Sequence, residues 1–238
     1  MHLLALETST EYCSCALSVA GEVRESCVKA GQSHSGLLLP MVAELMAQAG
    51  LSFSQLDAVA FGTGPGSFTG LRIACGATQG LAFAHALPVV AVVTLEALAE
   101  ASGADRVLAS LDARLGELYL AAYERVGPAQ WRVLAAPALL KTTALPALPG
   151  PWLGVGSGFA AHGAVLAQHY DLIGAQAEAF PRAAAIARLA AAKFARGESI
   201  AAEAAMPLYL RDKVALDVHE QAALRAAKRP PATDGVPA

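Results

Sequence analysis

Charge is scarce in this sequence. Of 238 residues only 16% are Asp, Glu, Lys or Arg, the cations are five lysines and twelve arginines, and the net charge is −3. No basic stripe interleaved with aromatics occurs, which argues against nucleic-acid binding by the chain unaided. So sparse a set of charges also suggests a surface covered in part by a partner. Uninterrupted apolar runs are missing as well, although 55% of residues are hydrophobic and the mean hydropathy is +0.45, because alanine supplies so much of both. The most apolar window, 80–101, is broken by His85, Pro88 and Glu96 and cannot cross a membrane as one helix. The first residues include no basic leader and reach Glu7 within one short strand, so no signal peptide is expected and the cytoplasm is the expected compartment. Cys13, Cys15, Cys27 and Cys75 form no C-x-x-C and read as buried free thiols. The six histidines contain no H-x-x-x-H pair, which leaves no helix-borne metal site.

What is present reads as α/β. A short buried run at 3–6 and strand-like runs at 13–20 and 22–29 predict three strands, the last two joined by a tight turn at Ala20-Gly21. A helix follows over 33–49, with Pro40 in its first turn or at a kink and Gly50 closing it. Next come a strand at 56–61, a glycine loop, a helix over 70–86, a strand at 89–93 and a helix that Thr94 can cap. Three strands and then alternating helices and strands is the order of an RNase H-like unit. The later half is less regular: strands at 106–111, 117–123, 131–134 and 152–155, a proline-rich connection at Pro137, Pro146, Pro149 and Pro151, and helices near 160–169 and 183–195. Two related lobes are expected, at 1–102 and, in abridged form, at 103–218, with a mobile tail over 219–238.

The most informative stretch lies between the strand at 56–61 and the helix after it. Gly62-Thr63-Gly64-Pro65-Gly66-Ser67-Phe68-Thr69-Gly70-Leu71-Arg72 exposes backbone N–H groups at a positive helix end, so a negative group or another backbone should come close there. No Lys-Ser or Lys-Thr follows, so the lysine of a P-loop is absent, and the third glycine falls one place late for G-x-G-x-x-G. Ser67 stands where a nucleophile would, yet G-x-S-x-G fails because Pro65 and Thr69 hold the glycine places.

Other candidates are weaker. Glu7-Thr8-Ser9 follows the first strand as the metal- or water-holding carboxylate of a phosphate site does, but no glycine admits a phosphate, and a hydrogen-bonded turn is the plainer reading. His34 at a helix start reads as a cap or a surface residue. Asp112-Ala113-Arg114, with Glu117 and Tyr119, reads as a structural hairpin turn. In Pro207-Leu208-Tyr209-Leu210-Arg211, Tyr209 and Arg211 share one face of an extended segment that could anchor a tail or contact a partner.

Taken together, Gly64-Pro65-Gly66-Ser67-Phe68-Thr69-Gly70-Leu71-Arg72, Glu7-Thr8-Ser9, His34 with Leu38-Leu39-Pro40, Asp112 to Tyr119 and Pro207 to Arg211 resemble the TsaB (YeaZ) family over about residues 3 to 215. The resemblance implies a trimmed actin-like (ASKHA) ATPase fold and a role in bacterial synthesis of N6-threonylcarbamoyladenosine at position 37 of tRNA. It implies a non-catalytic subunit that pairs with the transferase TsaD, joined by the ATPase TsaE, with tRNA met only through the complex. No catalytic residue, metal or cofactor of its own is expected, and the place left for ATP or ADP is the boundary with partner subunits. The resemblance also suggests a homodimer when the chain is alone, which the sequence itself leaves open. The expected interface is two helical stripes, Leu37, Leu38, Met41 and Leu45 on the first helix and Leu71, Cys75, Thr78, Leu81 and Ala82 on the second, the alternative being that these stripes are ordinary core. Two enzymatic readings compete: an actin-like phosphotransferase with Glu7 on a metal and Gly154-Val155-Gly156-Ser157-Gly158 as its second phosphate loop, and a metallopeptidase, against which the missing zinc ligands argue.

Overall fold

A computed structural model describes residues 1–211. The expected tail at 219–238 and the end of the expected second lobe, 212–218, lie outside the described residues.

Three antiparallel strands open the chain: β1 (His2–Glu7), β2 (Tyr12–Val19) and β3 (Glu22–Lys29). Between β2 and β3, Ala20 and Gly21 take φ of 51° and 94°, the left-handed pair that a two-residue hairpin turn needs. Then follow α1 (His34–Ala49), β4 (Ala58–Gly62), α2 (Phe68–Ala84), β5 (Val89–Val92) and α3 (Thr94–Ser102). β4 lies parallel to β1 and β5 to β4, which gives the order β3-β2-β1-β4-β5.

The second half repeats that plan. β6 (Arg106–Arg114), β7 (Glu117–Gly127) and β8 (Gln130–Lys141) are antiparallel, and β9 (Trp152–Val155) and β10 (Leu172–Gln176) add parallel strands on the other side of β6. The order β8-β7-β6-β9-β10 matches the first sheet strand for strand. α4 (Ser157–His169) and α5 (Ala183–Ala195) complete it. Where the first half has α1, the second has only the connection 142–151 with Pro146, Pro149 and Pro151. Both halves are RNase H-like, the second shortened by a helix, and together they make the two-lobed actin-like α/β fold.

The pleat of β1 and β4 explains the layering. Leu4, Leu6, Val59 and Phe61 face α1 and α2, while Leu3, Ala5, Ala58 and Ala60 face the other way, onto α5. That second face is lined by small side chains, and Ala183, Ala187 and Ala190 of α5 are small too, so helix and sheet come close. This is where much of the alanine goes. α3 crosses in the opposite sense: its Leu95, Leu98 and Ala99 are buried with Val107, Tyr123 and Val155 of the second sheet. The helix that closes each half thus packs on the sheet of the other, and α3 and α5 touch between them.

Several elements differ from their sequence reading. α2 starts two residues early, with Ser67 as its N-cap accepting from the Gly70 N–H at 3.3 Å. Thr94 opens α3 without capping it, since its hydroxyl is engaged by the glycine loop. Pro40 stands well inside α1, beyond the first turn. β8 runs through Pro137 to Lys141, which an edge strand tolerates because the missing N–H can face solvent. β10 carries no alternation to announce it, as four of its five residues are exposed.

Candidate functional site

β1 ends in Glu7, whose carboxylate is 1% exposed. The Ser9 N–H donates to it at 2.6 Å and the Thr94 hydroxyl at 3.4 Å. Burial raises its pKa above the ordinary carboxylate value, against the lowering effect of those hydrogen bonds. Gly62, at the end of the adjacent β4, lies directly against this carboxylate, and a Cβ there would overlap it. The carboxylate is therefore enclosed by its own chain, with no open side for a metal-bound water.

The glycine loop is closed in the same way. Gly66 lies against Ser9, where a Cβ would come within 2.5 Å of the Ser9 carbonyl oxygen, and at Gly70 a Cβ would strike the carbonyl oxygen of Thr8. The Ser67 N–H donates to the Ser9 carbonyl at 2.7 Å and the Thr8 hydroxyl to the Gly70 carbonyl at 2.7 Å. Thr8 and Ser9 are buried. Of the two things expected near this loop, an anion or another backbone, the structure has the backbone. The loop is also tied to α3, since the Gly64 N–H donates to the Thr94 hydroxyl at 3.0 Å and the Thr94 N–H to the Gly64 carbonyl at 2.8 Å.

The loop of the second half repeats this closure. Cβ atoms at Gly156 and Gly158 would meet the carbonyl oxygen and hydroxyl of Ser110, and Gly154 makes room for the Phe159 ring. The Ser157 hydroxyl accepts from the Asp112 N–H at 3.1 Å. Among the described residues no three His, Cys, Asp or Glu side chains come together as metal ligands would.

A strap, residues 207–211, runs between the two lobes. The Leu208 N–H donates to the Thr63 carbonyl at 2.8 Å on one side, and on the other Arg211 reaches the Ala113 carbonyl at 2.9 Å and the Glu117 carboxylate at 2.8 Å. The Arg72 guanidinium lies 3.8 Å from the centre of the Phe68 ring and its Nε donates to the Tyr209 hydroxyl at 2.9 Å. Asp112 accepts from the Arg114 N–H at 2.9 Å and pairs with its side chain at 3.2 Å. The motifs thus converge: Pro65, Gly66 and Phe68 of the loop, Leu115 and Tyr119 of the β6–β7 hairpin, and the strap line one cleft of about 260 Å³. His34 stands apart, neither cap nor surface residue, buried with its Nε2 3.2 Å from the Tyr12 carbonyl.

The helical stripes expected to face a partner belong to the chain's own core. Leu38, Met41, Leu45, Leu71, Cys75, Thr78 and Ala82 are buried, and Leu37 and Leu81 pack against the same cluster half-buried. An apolar period marks the side that is inside, and here it marks core. α1 and α2 lie side by side, and their outer surface carries Gly36, Leu39, Pro40, Ala43 and Ala47 on one helix and Arg72, Gly76, Gly80 and Phe83 on the other. Phe83 is 80% exposed and Leu39 50%. In helices of 16 and 17 residues, Glu44 and Arg72 are the only formal charges. Gly36, Gly76 and Gly80 keep right-handed backbone, and a Cβ on any of them would meet nothing within 4 Å among the described residues.

Comparison with known proteins places the chain. A family model described as TsaD, tRNA N6-adenosine threonylcarbamoyltransferase, matches residues 28–237. The tRNA threonylcarbamoyladenosine biosynthesis protein TsaB of Escherichia coli is 38% identical over 230 residues, 90% of this chain and 96% of the relative, and that of Haemophilus influenzae is 37% identical over 89% and 94%. The chain belongs to the TsaB (YeaZ) family. The solved structure of YeaZ from Pseudomonas aeruginosa superimposes with a TM-score of 0.80 at 40% identity, over 88% of this chain and 99% of that one. No helix among the described residues is long and apolar enough to cross a membrane.

Proposed function

We propose that this chain is a non-catalytic scaffold subunit in the synthesis of N6-threonylcarbamoyladenosine on tRNA. It binds a TsaD-like transferase, its paralogue, through the outer face of α1 and α2 and supports the transferase's active form. A TsaE-like ATPase joins the pair, tRNA is met through the assembly, and any ATP or ADP lies at the boundary between subunits. Without the paralogue, the same face pairs with a second copy of the chain.

The observation that carries this reading is the set of solvent-facing glycines inside two helices. Each costs about 0.5–1 kcal/mol against alanine, and nothing among the described residues requires them, because a Cβ at Gly36, Gly76 or Gly80 has open space there. Helices of a partner lying across that face supply the reason, since axes 8–10 Å apart need small residues at the crossing. Exposed Phe83 and Leu39 and the shortage of charge suit the same use. The absence of catalysis is supported by Glu7, shut in by Gly62, and by Thr8 and Ser9, whose backbone fills the glycine loop.

The test is threonylcarbamoyl transfer to tRNA by purified paralogue and ATPase, with and without this chain. Transfer is expected only when the chain is present. Sustained ATP hydrolysis or transfer by the chain alone would contradict the reading.

A further inference from the structure

The cleft at the N-terminal end of α2 lies next to the proposed partner face, and Arg72 of that face touches two residues of the cleft lining, Phe68 and Tyr209. We propose that it receives an extended acidic segment of the paralogue, which sets a carboxylate on Arg72 and one large apolar side chain in the cavity. This rests on the reading of the α1–α2 face as the paralogue's seat.

Eight of the ten arginines among the described residues pair with a carboxylate; Arg72 and Arg24 do not. Arg72 is nevertheless held in place. Its guanidinium stacks on Phe68 and its Nε is fixed by the Tyr209 hydroxyl, and no other described residue takes its two terminal nitrogens, which suit an incoming group. A planar cation oriented on an aromatic face, with its outer edge free, suits a carboxylate fork.

The other wall presents an apolar side chain at a conformational cost. Arg114, Leu115 and Gly116 at the tip of the β6–β7 hairpin all have positive φ, 66°, 56° and 74°. Left-handed backbone costs a non-glycine residue roughly 1–2 kcal/mol, and here it turns Leu115 outward, 73% exposed, over the cleft. With Phe68, Tyr119 and Tyr209 it frames a cavity of about 260 Å³, just under the roughly 300–1,000 Å³ of drug-sized ligand sites. One large side chain fits that space better than a nucleotide does. A nucleic-acid strand is disfavoured because, among the described residues, Arg72 is the one cation beside the cleft without a carboxylate partner, and strand binding draws on several phosphate contacts.

The test uses the full chain with Leu115→p-benzoylphenylalanine, irradiated with the purified paralogue and mapped by mass spectrometry. The crosslink is expected in a paralogue segment carrying Asp or Glu beside a bulky apolar residue. Arg72→Glu should weaken the complex about tenfold or more and flatten its salt dependence, with Arg72→Lys falling between. Crosslinks confined to residues 212–238 of this chain or to tRNA would overturn the proposal, as would an unchanged affinity in Arg72→Glu. A complex that forms but gives no crosslink overturns the cleft assignment and leaves the helix face standing. No complex at all removes both.

Discussion

Gly70 lies so near the carbonyl oxygen of Thr8 that no side chain fits between them, while the Thr8 hydroxyl donates to the Gly70 carbonyl at 2.7 Å. A strand end and a helix start are locked together at this point. Gly70→Ala should therefore destabilise the isolated chain by about 1–3 kcal/mol through overpacking. At this chain length that is a fall of several degrees in Tm. Thermal unfolding would show it, and an unchanged Tm would mean that the loop yields easily.

The buried Glu7 carboxyl gives a prediction with a sign. Its folded pKa is raised above 4.5 by burial, so between 4.5 and the folded value the native state holds more protons than the unfolded chain. Its contribution to stability is present below 4.5 and declines as pH rises through the folded pKa. Glu7→Gln carries no such dependence and should gain stability relative to the parent as pH rises through that window. Denaturant unfolding at several pH values measures the difference. A parent that gains on the variant as pH rises would contradict the assignment.

Arg211 closes the strap on Glu117 and on the Ala113 carbonyl. Arg211→Ala should cost about 1–2 kcal/mol, as both partners are largely covered. It should also raise hydrogen exchange at the tip of the β6–β7 hairpin more than in α5. A uniform change across both elements would point to global loosening instead.

Much of this fold was legible in the sequence because its signals are local. β1, with apolar residues at 3–6 and Glu7 behind them, and the α2 helix after the glycine run were readable from pattern alone. The lobe order followed from them. β10 was not, because an exposed edge strand of five residues has no buried side to impose alternation. The crossing of α3 and α5 between lobes was invisible for a different reason: an amphipathic stripe states that a helix is buried, not which sheet buries it. At the site, the glycine motif announced a close approach, yet Thr94 and the role of the strap depend on contacts across 30 and more residues. The stripes expected at an interface proved to be core, because Leu81 and its neighbours signal burial. The outer face is marked by what it lacks, charge and side-chain bulk.

The central claim is that Gly76 and Gly80 serve another molecule. Gly→Ala at either position should stabilise the chain alone by about 0.5–1 kcal/mol, since a Cβ there meets nothing within 4 Å. A larger side chain on the same spot should block the partner. The direct measurement is calorimetric titration of the TsaD-like paralogue with the parent chain and with Gly76→Leu, each shown to be folded by its thermal transition. The account predicts a folded variant, at least as stable as the parent, whose binding is weakened a hundredfold or lost, on the order of 3 kcal/mol. Binding by Gly76→Leu equal to that of the parent would contradict it.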